Sequence, residues 1–579
     1  MSDWFQDLSG IRRSLVESLR ANKTKIVGSV VDKYPDPTHF IFELLQNAED
    51  QSAREVEFVI ESDRLSFLHD GAPFRHEDVE AITNIGDSRK LEQENKIGRF
   101  GVGFKSVFRV TERPVIRCEL EGRPFCFAIE DLLVPILLRP DDVDAEPGRT
   151  VFVLPYKPGF CENDRRAICE TLSGLGASAL LFLDRIKRVR WRCGDLSGEI
   201  TCDRSDPAIR TLTRQVDGSA VVGSVQYLVF RREVRLEESD RPAQVVMLAF
   251  RLDERGQVVA EDVPTSLHVF FETRETSGLF FRLHGPFLLT DNRANIKERE
   301  SVNARLFKEC DELLVGAIRG MKSQGRLKAS LLAVLPNGDD NLASWCKPLR
   351  DSLFEAMRRE PLVPMARGGH GPAKLLSFAL PAIRSVISDE DLAYLKDGEV
   401  LGWATGAAAI SRQEKFLTSL GIERWGWKNL LRCLEERFDE TDDSDESQAW
   451  LARHDDDWFQ SFYALLDLAT EKTKNVHLEI YPRGWPLVRT QDGRYLKGDQ
   501  VFFPPRTGAV GLVGISFVKA EILGEDDNDR SGKAKAYLTT VGVREVGKRE
   551  EILAVLNEYY SPAKSRSLSE YCLWPMTFE

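Results

Sequence analysis

Residues 94–108 read ENKIGRFGVGFKSVF, with Gly98, Gly101 and Gly103 inside six positions and Lys105 and Ser106 just behind them. A loop this rich in glycine lets backbone N–H groups approach an anion closely, often a phosphate. It is not a P-loop, which needs Lys directly after the last glycine; here Phe104 intervenes. The preceding stretch, DSRKLEQEN, is polar, whereas a P-loop follows a buried strand. A dinucleotide fingerprint requires G-x-G-x-x-G, and the order here is reversed. A kinase glycine loop would need a strand Lys and a downstream HRD, and neither is present. Taken alone, the stretch is either a phosphate cradle or a flexible surface loop capping a helix.

Two further sets of residues precede the loop. HFIFELLQNAEDQSA (39–53) has helical periodicity, with Phe40, Leu44 and Ala48 on one face. Glu43 and Asn47 are four apart and share a face, and Asp50 lies near it. A carboxamide oxygen can ligate Mg²⁺, and a neighbouring carboxylate can orient or deprotonate water. The same residues also suit a plain polar helix face. Next, FLHDGAPF places Asp70 and Gly71 in a tight turn after a strand. A carboxylate there can accept from an exocyclic amine such as that of adenine, or the pair is an ordinary Asp-Gly turn.

The elements that position these residues read as α-helix over 39–53, two short strands (EVEFVIES, RLSFLHDG), a helix (RHEDVEAITNIG), the loop, a helix (GFKSVFRV) and further strands. Residues 11–34 read as one or two amphipathic helices. A second region, 166–325, opens with a helix (RRAICETLSGLGASALLF), continues in strands and closes with a helix. Its basic stretch DRIKRVRWR (184–192) alternates with apolar residues, as in a strand with one wet face; a nucleic-acid groove is the competing reading. The third region, 326–579, reads as mainly helical, with an internal repeat over 361–438 and 486–560.

Composition bounds the function. The 579 residues are 42% hydrophobic and 30% charged, an ordinary globular balance. A net charge of −13 disfavours general nucleic-acid affinity. No apolar run is long enough to span a bilayer, and the N-terminus lacks signal-peptide character, so no membrane partner and a cytoplasmic location are expected. Ten cysteines and eight histidines are scattered without a zinc pattern, as for reduced structural thiols.

The order of motifs resembles the GHKL ATPase superfamily, most closely the ninety-kilodalton heat-shock chaperones and the sacsin-type proteins. ELLQNAED looks like the family's N-box, IGDSRK like its lid segment, and IGRFGVGFKSVF like its phosphate box and lid hinge. GRTVFVLP resembles the strand whose threonine, here Thr150, supports the adenine-binding residue through water. GPFLLTDNRANIKERESVN resembles the middle-domain loop that reaches the nucleotide, with Arg293 at the γ-phosphate position. The family's adenine box is D-x-G-x-G, and HDGAPF lacks its second glycine, so either Asp70 or His69 faces the base.

The resemblance implies an α+β chain with a Bergerat-type α/β sandwich ATPase domain (1–165), an α+β middle domain (166–325) and the helical region. It implies ATP and Mg²⁺ as cofactors. Glu43 would be the catalytic base and Arg293 the γ-phosphate sensor. Asn47 would hold the metal. Asp50, Asp70, Gly98, Gly101, Val102, Gly103, Phe104, Lys105 and Thr150 would complete the nucleotide site. Residues 84–100 would form a lid that orders on binding ATP, with slow turnover. A histidine kinase is disfavoured because a water-activating Glu suits hydrolysis, and gyrase and MutL proteins usually supply Lys rather than Arg. Protein clients or complex subunits are implied, as is the option of a homodimer. Two functions fit: chaperone-like remodelling of proteins, or ATP-gated regulation within a nucleic-acid-processing or antiviral defence complex, touching nucleic acid only through partners.

Overall fold

The computed structural model describes residues 2–21, 38–84, 103–140, 148–216, 223–235, 244–290, 295–438, 445–474, 482–505, 514–524, 529–549, 552 and 556. The chain divides into two compact units, Met1–Ala356 and Met357–Glu579. The first is α+β and the second is mostly helical.

Among the described residues, the first unit carries a single fourteen-stranded sheet. Its strands are β1 (Glu55–Ile60), β2 (Arg64–His69), β3 (Val115–Leu120), β4 (Arg123–Glu130), β5 (Val134–Leu138), β6 (Thr150–Pro155) and β7 (Arg188–Cys193). They continue as β8 (Leu196–Asp203), β9 (Ile209–Val216), β10 (Gly223–Val234), β11 (Gln244–Leu252), β12 (Thr265–Val269), β13 (Phe271–Leu279) and β14 (Arg282–His284). The spatial order is β13-β12-β14-β11-β10-β9-β8-β7-β1-β2-β6-β3-β4-β5. The strands before and after residue 165 meet where β1 pairs in parallel with β7, Glu55 opposite Arg188 through Ile60 opposite Cys193. The sheet therefore runs without a break between the two regions read from the sequence.

Alternation sets which face is buried. Val56, Phe58 and Ile60 of β1 lie beside His69, Phe67 and Leu65 of β2, and all six are buried. In β7 the buried residues are Val189, Trp191 and Cys193. The intervening Arg188 and Arg190 both bond Glu55, at 3.0 and 3.2 Å. The second half of the basic stretch, from Arg188, is thus a strand, and Arg188 and Arg190 pair with Glu55 across the sheet.

Helix α1 (Ser2–Ala21) is the part of the 11–34 expectation that falls on described residues, and it starts nine residues earlier than read. Phe5 packs edge-on against Phe125 of β4. Helix α2 (Phe40–Asp50) is buried at eight of its eleven positions, including Glu43, Gln46 and Glu49, so its polar groups must be satisfied inside the protein. Helix α3 (His76–Ile82) follows β2. Residues Gly103–Arg109, expected as a helix, form a 3₁₀ turn. The segment is seven residues long, and the Ser106 hydroxyl donates to Gly103 O at 2.7 Å, which favours the tighter winding. The helix read over 165–182 is likewise interrupted: α4 (Glu162–Ser173) stops at Gly174, and a 3₁₀ turn follows at Ala177–Leu180. Helix α5 (Ser301–Ser323) closes the second region.

Three histidines of this unit are sealed in the core. Burial pushes His69 down to about 4 and both His268 and His284 to about 3, from an ordinary 6.5. His268 and His284 are neighbours in the β12–β14 pair, and both rings touch Phe182 at 5.0 Å. All three are neutral in the folded state and protonate first in the unfolded chain. Their stability is fully present above pH 6.5 and is lost as pH falls toward the folded values. The cost for His69 alone is about 3 kcal/mol at pH 4. Thermal melts at pH 8, 6 and 5 should show a falling midpoint below pH 6.5. A flat profile over that range would mean that the imidazoles are not sealed.

In the second unit two segments share an order of short elements. In the first copy, Val363–Pro364 pairs with His370–Gly371, a 3₁₀ turn follows at Ala373–Leu375, and Leu376–Ala379 forms parallel pairs with Gly402–Trp403 and Glu423–Trp425. In the second copy, Val488–Arg489 pairs with Tyr495–Leu496, a 3₁₀ turn follows at Gly498–Gln500, and Val501–Phe502 pairs in parallel with Ser516–Phe517. A parallel bridge from Phe502 to Arg544 completes the match. The helices Arg412–Ser419 and Asp529–Val541 each precede the third partner.

Candidate functional site

Glu43 lies one turn into α2 and is 2% exposed. His39, the residue just ahead of the helix, places its Nε2 3.3 Å from Glu43 Oε1. Oε2 faces Gly103, the last glycine of the loop. A Cβ built on Gly103 would sit 2.0 Å from Oε2 and 2.9 Å from Cδ. The fold therefore presses the end of the glycine motif onto the buried acid of α2, sixty residues earlier in the chain. A side chain at position 103 would have to displace the Glu43 carboxylate. Asn47 and Asp50, further along α2, are half-buried.

The remaining candidates divide into three groups. Phe104 is buried, with its ring 5.8 Å from Phe152 of β6. Phe152 in turn stacks near His69, at 5.9 Å and 29°. Thr150 is buried and directly opposite His69 in the β2–β6 register. These residues form a continuous floor from Gly103 to the end of β2.

Lys105 and Asp70 point elsewhere. Lys105 is 1% exposed, and its ammonium donates to Ile82 O at 2.7 Å and Leu132 O at 2.5 Å. Burial, then Arg12, pushes its pKa down to about 7. In this structure it fastens the end of α3 to the β4–β5 turn. The Asp70 side chain is exposed, and its Oδ1 accepts from the backbone N–H groups of Arg54 and Glu55 at 2.7 and 2.8 Å. Gly98, Gly101, Val102 and Arg293 lie outside the described residues.

Three residues that sequence reasoning passed over help to build the site. His39 is four residues before Glu43, a spacing legible on the helix. Glu49, also on α2, accepts from the N–H groups of Asp184, Arg185 and Ile186 at 2.6, 2.8 and 2.9 Å. Phe42, on the outer side of α2, meets Phe271 of β13 at 5.2 Å. No local signal marks these last two contacts, because both partners come from much later in the chain.

Among the described residues, no group of three or more His, Cys, Asp or Glu is placed to hold a metal ion. The nine cysteines described are free thiols, seven of them buried, as expected of structural cysteines. Among the described residues, no helix is long and apolar enough to cross a membrane.

Residues 20–126 match the family model described as the Sacsin domain. That span holds Glu43, Asn47, His69, Asp70 and the whole glycine loop. The chain is 33% identical over 104 residues to Sacsin of Homo sapiens, covering 15% of this chain and 2% of that protein. It is 24% identical over 465 residues to Protein NO VEIN of Arabidopsis thaliana, covering 74% of this chain and 17% of that protein. The N-terminal region is sacsin-like in sequence. The chain spans less than a fifth of the length of either relative.

Proposed function

We propose that this chain is a Mg²⁺-dependent ATP-binding and ATP-hydrolysing conformational switch of the GHKL type, with a Bergerat-type sandwich, acting as a chaperone-like remodeller of protein partners. The observation that carries the reading is the meeting of Glu43 with Gly103. Two motifs that the sequence reads as catalytic acid and phosphate cradle converge on one point. The sacsin-domain match over 20–126 supports the same reading.

The residues present fit a magnesium nucleotide. Gly103 leaves no room for a Cβ, so backbone approaches the site closely. The carboxamide of Asn47 offers the single hard oxygen that Mg²⁺ accepts when phosphates and waters fill its other positions, and the ion's charge would offset that of the phosphates. Backbone amides of residues 98–103 would hold the phosphates. Glu43, whose Oε1 lies 3.3 Å from His39 Nε2, would orient a water and take its proton. Arg293, with a planar permanent charge, would contact the γ-phosphate.

Calorimetric titration with ATP and ADP, with and without Mg²⁺, tests the assignment. Wild type should bind both. Asn47→Ala should lose the Mg²⁺-dependent part of the affinity. Arg293→Ala should bind ADP normally and ATP about tenfold more weakly, the loss of one charge-assisted contact. Absence of nucleotide binding by the wild-type chain would overturn the reading.

A further inference from the structure

We propose that Glu49 and Phe42 are positioning residues, through which region 166–325 fixes the setting of helix α2 and so the place of Glu43. The inference rests on the hydrolytic reading above and deepens it, by naming what holds the base where it stands.

Helix α2 carries two neighbouring stripes. Glu43, Asn47 and Asp50 share one, at i, i+4 and i+7. Phe42 and Glu49, also seven residues apart, share the next, turned from the first by about 100°. The first stripe holds the residues read as chemical. The second meets chain from far later in the sequence. Phe42 lies 5.2 Å from Phe271, the first residue of β13, and Glu49 bonds the backbone at 184–186.

The Glu49 contact is built from both sides. Glu49 is 7% exposed, and its Oε1 accepts from the N–H groups of Asp184 and Arg185 while Oε2 accepts from that of Ile186. A buried carboxylate needs such partners, and bonds to a charged acceptor are about twice as strong as neutral ones. The two peptide groups that donate to Oε1 are held at their other ends by guanidiniums. Arg210 of β9 donates to Leu183 O at 3.0 Å, and Arg204, just after β8, donates to Asp184 O at 2.7 Å. Each cation polarises its peptide so that the N–H becomes a better donor to Glu49. The helix is thereby fastened to the sheet itself.

Two contacts on one stripe, about two turns apart, fix a helix in rotation as well as along its axis. Rotation is what Glu43 is sensitive to, because it meets Gly103 from the adjacent stripe. With side chains reaching about 5–6 Å from the axis, a turn of about 10° carries its carboxylate through about 1 Å. A misplacement of about that size can cost a hundredfold in rate.

The experiment measures kcat per site for Glu49→Gln and Phe42→Leu in the full chain, with sites counted by titration with Mg²⁺-free ADP. That ligand draws on neither Glu43 nor Asn47, so its affinity should stay within about twofold of wild type. Glu49→Gln sets an amide nitrogen against a backbone N–H, and kcat should fall about tenfold. Phe42→Leu loses the ring contact but stays apolar; kcat should fall about threefold, and this variant serves if the first does not fold. Added to Glu43→Gln, Glu49→Gln should lower the residual rate by less than about twofold, because the base that it positions is already gone. A merely structural residue would lower the melting temperature and leave kcat per site as it was. Wild-type kcat per site in both variants, or an equal fractional loss with and without Glu43, would overturn the inference and leave the ATPase reading intact. Absence of ATP hydrolysis by the wild-type chain would instead overturn that reading, and this inference with it.

Discussion

Glu43→Gln is expected to bind ATP as the wild type does and to hydrolyse it about a hundredfold or more slowly, the range spanned by removal of a general base. The glutamine keeps the size of the side chain, so the packing against Gly103 survives. It cannot take a proton and carries no charge. Single-turnover hydrolysis measured beside equilibrium binding separates the two effects. Turnover equal to wild type would remove Glu43 from the mechanism. Equal losses of binding and turnover would make it a structural residue.

The second large effect is expected at Gly103. In Gly103→Ala the new methyl would overlap Glu43 Oε2, so the carboxylate must leave its place beside His39. Overpacking of this kind costs about 1–3 kcal/mol, and the displaced base should stop turnover as fully as Glu43→Gln does. The distinguishing measurement is the apparent melting temperature of the double variant. With Glu43→Ala the obstruction is gone, so Gly103→Ala should destabilise the wild-type background and leave the Glu43→Ala background nearly unchanged. Equal destabilisation in both backgrounds would place the strain elsewhere than at Glu43.

Much of the site was legible because its signals are local. The i, i+4 pairing of Glu43 with Asn47 follows from helical period, and α2 forms where that period indicates. The inward turn of His69 is also contained in the sequence: Leu65, Phe67 and His69 alternate with Arg64, Ser66 and Leu68, and period two points all three inward. The motif reading named Asp70, because carboxylates suit amines, and left His69 as the alternative. What remained illegible depends on pairing across long sequence distances. Nothing in EVEFVIES says that its parallel partner lies beyond residue 187, so the sheet's continuity was hidden. Lys105 was read by its proximity to the glycines, whereas a buried ammonium goes where carbonyls converge, here Ile82 and Leu132.

Helix α2 has a mechanical meaning that neither of its ends has alone. Glu43 faces the loop at one end, and Glu49 grips three successive amides at 184–186 at the other. Six residues separate them, about 9 Å of helix axis. A helix buried on most sides does not bend over one and a half turns, so it moves as a rod. A shift along its axis at the carboxylate that meets the loop appears undiminished at Asp184–Ile186, the lead-in to β7. Because β7 is zipped to β1 over six residues, that shift reaches two adjacent strands together. The residue that meets the loop and the downstream half of the sheet are thus joined through one short, buried helix.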